Sequence, residues 1–253
     1  MVATGAKPKS NSRLAANSSN TNGIDHGQRR KVVVEQLLAD IFQGKVKAGE
    51  RLVIQSLATR FGVSQSPIRE ALVTLEGIGI VDIEANRGAV VRRVTETEVK
   101  EVCQVRRALE CAAVRLACGR IDLSELNDLA EAFRKGTKKR SAAARKRSPA
   151  AVKKDINTAR TLDSRLHDLI AESCGNHFLS RELGRLKLLF RSFRDVSWDK
   201  RLTESDLARF AEEAREHLTI VEALLEGDAK AASKAMSRHI RMGVKYWSRG
   251  LPR

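Results

Sequence analysis

Aromatic residues are scarce in this chain of 253 residues: seven Phe, two Trp and one Tyr, alongside only four prolines. Ala, Leu, Glu, Lys and Arg dominate instead, a helix-forming composition. No apolar run approaches the roughly 20 residues that would cross a bilayer, and the polar N-terminus lacks the apolar segment of a signal peptide. We therefore expect a cytoplasmic protein with no membrane partner. The four cysteines, Cys103, Cys111, Cys118 and Cys174, form no CxxC pair. The first three share one side of a predicted helix, so buried reduced thiols are expected, without disulfides or a cysteine metal site. The length suffices for two domains, each with its own core.

Acidic residues are missing where basic ones concentrate. Residues 134–154 carry ten Lys and Arg and no acid, and residues 1–31 carry a net +5. These two segments supply +15 of the formal +16, so the remainder is close to neutral. The global charge is thus no proof of specific DNA binding. It is equally consistent with a non-specific, salt-sensitive phosphate contribution. Residues 1–30, rich in Ser, Asn, Gly, Ala and Lys, read as a disordered basic tail.

The stretch around which the chain is organised runs from Leu57 to Leu72. Leu57, Ala58 and Phe61 form an apolar helical stripe, and Gly62 stands where a helix end needs positive φ. Ser64 is placed to cap the next helix, Pro67 sits in its first turn, and Ile68, Ala71 and Leu72 supply its buried face. Gln65, Ser66 and Arg69 are left exposed at its start. This is a helix-turn-helix, whose second helix presents its N-terminal residues to base edges in the major groove. A plain helical corner in some other protein is the bland alternative. Before it, Val33, Val34, Leu37, Leu38 and Ile41 mark an amphipathic helix from Lys31 to about Gly44, followed by a turn at Ala48–Leu52. After it, residues 80–84 and 89–93 read as strands around a turn at 85–88. Such a hairpin is a wing, with Arg87 poised for a minor groove and Gly88 allowing close approach to phosphate.

Thr95-Glu96-Thr97-Glu98 is a capping box opening a further helix. Helices alone are expected from there on: about 97–118, 122–135, 155–174, 178–194, 204–226 and 229–248. Asp163 and His167 stand at i and i+4 on one helix face. His217 lies ten residues before Gly227 and His239 eleven after Asp228, which brings both to one level in an antiparallel helix pair. Singly, each histidine reads as an ordinary half-buried residue. Together, three His and one carboxylate form a set suited to a divalent ion: Zn²⁺ first, Ni²⁺ or Mn²⁺ as alternatives.

The run through Gly44, Gly49-Glu50-Arg51-Leu52, Leu57-Ala58, Gly62-Val63-Ser64, Pro67–Leu72 and Asn86-Arg87-Gly88 resembles the winged helix-turn-helix of the GntR family of bacterial transcription regulators. The resemblance covers about residues 31–94. It implies operator DNA contacts by Gln65, Arg69, Arg87 and Gly88, to which Arg51, Ser64 and Ser66 are added as candidate contacts. The family usually has Arg after the capping Ser. Gln65 in its place implies a changed base preference, towards adenine, which Gln reads bidentately. Arg106 to Glu110, Asp163-x-x-x-His167, Gly175-Asn176, His217, Gly227-Asp228 and His239 resemble the all-helical FCD ligand-binding domain of the FadR branch. The usual Phe before the first His is Leu166 here. This second resemblance covers about residues 96–248, interrupted by the basic insertion at 134–154.

The resemblance implies a metal held by Asp163, His167, His217 and His239, and a small organic-acid effector paired with Arg106. It also implies a homodimer on a pseudo-palindromic operator, acting as a repressor rather than an activator. The expected architecture is mainly α: a winged helix-turn-helix (31–94) followed by an all-α, FCD-like bundle (95–250). Two other classes stand as alternatives. A metal-dependent hydrolase with a DNA-binding appendage lacks a Glu in an HExxH-like arrangement beside the ligands. A non-specific basic nucleic-acid-binding protein would depend on residues 134–154.

Overall fold

The computed structural model describes residues 26–85, 87–138, 148–196, 204–248 and 251. Residues 1–25 of the expected tail, Asn86 of the wing turn and the middle of the basic insertion lie outside the described residues. The first helix, α1 (His26–Phe42), begins five residues before the expected start at Lys31, so part of the presumed tail is helical. Val33, Leu37, Leu38 and Ile41 turn one stripe inward, while Val34 is only half-buried. Asp40 is fully buried on the same helix. It accepts from Gln36 (3.1 Å) and from Arg60 (2.5 Å), which ties α1 to the helix-turn-helix.

The expected turn ending at Leu52 instead contains a short strand, β1 (Arg51–Leu52). The helix-turn-helix follows as α2 (Ile54–Phe61) and α3 (Gln65–Ile78). Gly62 ends α2 at φ +62, and its N–H returns to the carbonyls of Ala58 and Thr59. Ser64 holds the extended N-cap backbone of α3, but its side chain makes no capping bond. The cap is therefore conformational. Pro67, Ile68, Ala71, Leu72 and Leu75 are buried, while Gln65, Ser66 and Arg69 are exposed.

The wing consists of β2 (Val81–Glu84) and β3 (Gly88–Val91). The sheet order is β1-β3-β2, antiparallel throughout, with Leu52 opposite Ala89 and Ile83 opposite Ala89 from the other side. Reading residues 48–52 only as a turn missed β1, because two residues carry too little alternation to register as a strand. This first core gathers Leu37, Ile41, Leu52, Ile68, Leu72, Leu75 and Ile80.

Thr95 caps α4 (Glu96–Ala117) with the expected capping box: its side chain accepts from the Glu98 N–H, and Glu98 accepts from the Thr95 N–H. The other helices are α5 (Leu123–Lys138), α6 (Pro149–Ser173), α7 (His177–Val196), α8 (Glu204–Leu225) and α9 (Ala229–Trp247). The basic insertion is helical at both described ends. In particular, α6 starts six residues earlier than expected, where Ser148 caps the Ala151 N–H and Pro149 takes the first turn. Pairs α4–α9, α5–α8 and α8–α9 pack along their lengths around a second core that includes Leu126, Leu166, Ile170, Ile220 and Met236.

One helix spans both cores. α7 packs on α4 and α6, and also on α1 and α3. Arg185 donates to the carbonyl of Gly77 at the end of α3, Leu189 lies against Gly79, and the Arg191 guanidinium stacks 4.4 Å from the Phe42 ring.

Candidate nucleic-acid interface and metal centre

At the start of α3 the exposed polar side chains form a chain. Gln65 donates to Gln55 of α2 (2.6 Å) and accepts from Arg69 (3.1 Å), while Ser66 donates to Glu70 (3.4 Å). These bonds link the exposed polar side chains at the start of α3 to one another and to α2. Arg87 is exposed at the wing. Arg51 pairs with Glu84 across the sheet at 2.5 Å, half-exposed. Gly88 has a structural role in the sheet. It is buried at φ +91, and a Cβ there would lie 2.2 Å from the Leu52 carbonyl oxygen. Glycine is needed here because β1 passes so close.

The second site lies inside the bundle. One ligand atom from each of Asp163, His167, His217 and His239 falls within 4.8 Å of every other. His217 Nε2 is 3.3 Å from His239 Nε2 and 3.3 Å from Asp163 Oδ1, and His167 Nε2 is 3.6 Å from the same oxygen. Tetrahedral ligands on bonds of about 2.0–2.1 Å stand about 3.3 Å apart. The spacing therefore fits a small divalent ion. The chemistry agrees: His167 Nε2 is buried without a hydrogen-bond partner, and an orphaned buried nitrogen is costly unless something binds it. Two histidine nitrogens facing each other across 3.3 Å would repel as lone pairs unless a proton or a cation lies between them. The i, i+4 pair on α6 and the antiparallel turn between α8 and α9 bring the four together, as their spacing requires.

Two carboxylates that sequence reasoning left without a role complete the centre. Glu110 of α4 accepts from His167 Nδ1, and Glu216 of α8 accepts from His239 Nδ1 at 2.9 Å. Each fixes the tautomer that turns Nε2 towards the centre. Burial would raise the Glu110 carboxyl, but Arg106 and His167 beside it outweigh burial and bring it down to about 2. Burial likewise acts against Glu216, which its bonds to His239 and Arg209 draw down to about 2. For His167, burial opposes protonation, yet Glu110 prevails and raises the pKa. Burial and then the neighbouring His217 push His239 down to about 4, leaving it neutral and able to coordinate. The signal for Glu216 was its adjacency to His217: on a helix, neighbouring side chains diverge, so Glu216 reaches the far side of His239.

Arg106 donates to Glu110 at 2.8 Å and lies over the Phe190 ring at 4.2 Å. It lines a cavity of about 180 Å³ beside the four ligands, shared with Asp163, His167, Lys187 and Phe190. Asp168 and Lys187 pair at 2.5 Å on its wall. The cavity thus brings together a cation, an aromatic face and the edge of the Asp163–His167–His217–His239 cluster.

Known proteins resemble this chain along most of its length. The family model described as "Bacterial regulatory proteins, gntR family" matches residues 29–91, and that of the FCD domain matches residues 101–242. The HTH-type transcriptional repressor RspR of Escherichia coli is 27% identical over 205 residues, covering 81% of this chain and 82% of that protein. The repressor GlaR of the same species is 26% identical over 202 residues, 79% of this chain and 87% of that one. The solved structure of E. coli McbR/YncC matches at a TM-score of 0.68 and 19% identity over 87% of this chain and 96% of that chain, which shows a common fold. Family and relatives are transcription regulators rather than enzymes, so the hydrolase reading falls. With a winged helix-turn-helix leading into a helical bundle, and both halves matched in order, the chain belongs to the GntR family of bacterial transcription regulators and carries an FCD domain.

Proposed function

We propose that the protein is a metabolite-responsive repressor that binds a pseudo-palindromic operator as a homodimer. In this reading residues 31–94 form the DNA-binding domain and residues 95–250 the effector-binding and dimerisation domain. Gln65, Ser66 and Arg69 read base edges, Arg87 enters the flanking minor groove, and Ser64 and Arg51 contact the backbone. Each winged domain reads one half-site, which is why a two-fold operator calls for two copies.

Asp163, His167, His217 and His239 hold one divalent ion, most suitably Zn²⁺ given three imidazoles and one carboxylate. The ion supplies a Lewis-acidic anchor for a small carboxylate effector in the adjoining cavity. Arg106 is the charge partner; Glu110 engages its Nε and one terminal nitrogen, leaving further donors for a ligand. The observation that carries this reading is the convergence of four ligand atoms within 4.8 Å, among them a buried His167 Nε2 that has no hydrogen-bond partner. The route to DNA is supported by α7, which lines the cavity with Lys187, Phe190 and Arg191 and meets α3 through Arg185 and Leu189. An effector that favours one placement of α7 by a few kcal/mol is enough to shift operator occupancy.

The test is elemental analysis of the purified protein beside His217→Ala and Asp163→Ala. One divalent ion per chain, lost in both variants, is expected. An ion-free wild type, even after incubation with Zn²⁺ or Ni²⁺, would remove the metal from the mechanism and leave the DNA-binding half standing.

A further inference from the structure

A second feature of the bundle lies on the opposite side of α4 and α9 from the metal centre. Over Ala229–Trp247, α9 contains no acidic residue. Its Lys230, Lys234 and Arg241 share an open groove of about 660 Å³ with Arg107 and Arg115 of α4, and no acid lines it. Elsewhere the exposed cations of this chain are commonly paired: Lys45 with Asp40, Arg134 with Glu222, Arg165 with Glu125. Among the described residues, Arg107, Lys230, Lys234 and Arg241 have no such partner, and Arg115 donates only to the Ser233 hydroxyl at 2.7 Å. Five neighbouring like charges without counter-charges raise one another's energy, and a bound anion relieves that repulsion.

The groove also has shape. Its floor is polar, made by Cys111 and the hydroxyls of Ser233 and Ser237. The helices run antiparallel, since Cys111 meets Ser233 while Arg107 shares the groove with Arg241. At a rise of 1.5 Å per residue, the cations extend about 12 Å along α4 and about 16 Å along α9. Packed helices stand about 8–10 Å apart. Two rows of cations on helices that close together border one shallow furrow, a linear arrangement that matches a single chain of phosphates.

We propose that the groove between α4 and α9 is a binding site for a linear polyphosphate anion, distinct from the metal-centred cavity. Arg107 and Arg241 hold one end of the chain, and Arg115 with Lys230 the other. Lys234 contacts its middle. Guanidinium and ammonium groups are the usual partners of phosphate oxygens. Because α4 carries Arg106 and Glu110, and α9 carries His239, the same two helices border both sites.

Isothermal titration of the full-length protein with inorganic tripolyphosphate tests this, with orthophosphate and sulfate at equal ionic strength as comparisons. We expect one saturable tripolyphosphate site per chain, markedly tighter than either small anion. Lys234→Glu combined with Arg241→Glu should weaken it by about tenfold or more, with helical content unchanged by circular dichroism. The milder Lys230→Gln with Lys234→Gln should weaken it less, and keeps the test intact should charge reversal unfold the helix. The charge-matched Lys139→Glu with Arg140→Glu should leave it within about twofold. Equal losses in the groove and control variants, or equal affinity for sulfate and tripolyphosphate, would overturn the proposal. So would a random-sequence duplex that displaces tripolyphosphate and loses affinity in the same groove variants, since the groove would then be a DNA-backbone contact.

Discussion

At the scale of single residues, burial decides which side chains are chemically available. Cys103 is buried against the second core, and desolvation pushes its thiol up to about 11 despite Arg106 nearby. At pH 8 only roughly one thiol in a thousand is ionised at such a value. Iodoacetamide at pH 8 should therefore leave Cys103 unmodified in the folded protein and alkylate it in urea, as read by peptide mass spectrometry. The linkage has a definite sign. A thiol whose folded pKa is raised favours folding fully below its unfolded pKa, and that contribution disappears as pH climbs through the window between about 9 and 11. Gly88 and His167 show the same dependence on surroundings. Glycine at 88 reads in sequence as freedom to approach a ligand, and the fold adds the Leu52 carbonyl beside it. The unpartnered Nε2 of His167 appears only once Glu110 is seen to occupy the ring's other nitrogen.

At the scale of elements, α7 is the piece with two sets of contacts. Its Leu183, Lys187, Phe190 and Arg191 face the cavity, and its Arg185, Leu188 and Leu189 lie against the DNA-binding core. Replacing Leu189 and Arg185 by Ala removes the contacts at Gly77 and Gly79 while touching none of the four proposed ligands. Coupling free energies between sites are typically about 1–3 kcal/mol. We expect the effect of metal loading on operator affinity, measured by fluorescence anisotropy with and without chelator, to shrink towards zero in this double variant. Metal content should be unchanged. An undiminished effect of metal would show that the signal travels by another route, such as the connection from β3 into α4.

Most elements were legible in advance because their signals are local. The capping box at Thr95, the glycine at 62 and the apolar stripe of α3 depend on residues within a few positions of one another. Two kinds of feature were misread: a strand defined by a distant partner, and helix starts that apolar periodicity does not mark. β1 exists because Val90 and Ala89 pair with it. The start of α1 at His26 lies in polar, basic sequence and that of α6 at Pro149 in a short alanine-rich stretch of the basic insertion, where apolar periodicity gives no warning.

At the scale of the whole molecule, charge is distributed unevenly. Segments 1–31 and 134–154 hold almost the entire net charge, yet neither contains a residue proposed to read bases. Replacing Lys139, Arg140, Arg145, Lys146 and Arg147 by Gln should leave preference for the operator over random duplex largely intact. If those side chains meet phosphate, the slope of log affinity against log salt should become shallower by roughly one unit per lost contact. Complete loss of operator preference would instead favour the non-specific basic protein.

The sequence by itself determined the class of the protein and the order of its parts. A winged helix-turn-helix followed by helices is written in short-range pattern, and so is the set of four candidate ligands, because helical spacing and a symmetric turn are properties of one or two adjacent elements. Only the tertiary structure decided what those parts meet. It put Glu110 and Glu216 behind the histidines, set Arg106 on the wall of a cavity, laid α7 across both cores and aligned the unpaired cations of α4 and α9 along one groove. Those relations join residues tens to more than a hundred positions apart, such as Cys111 and Ser233, and no local periodicity encodes them.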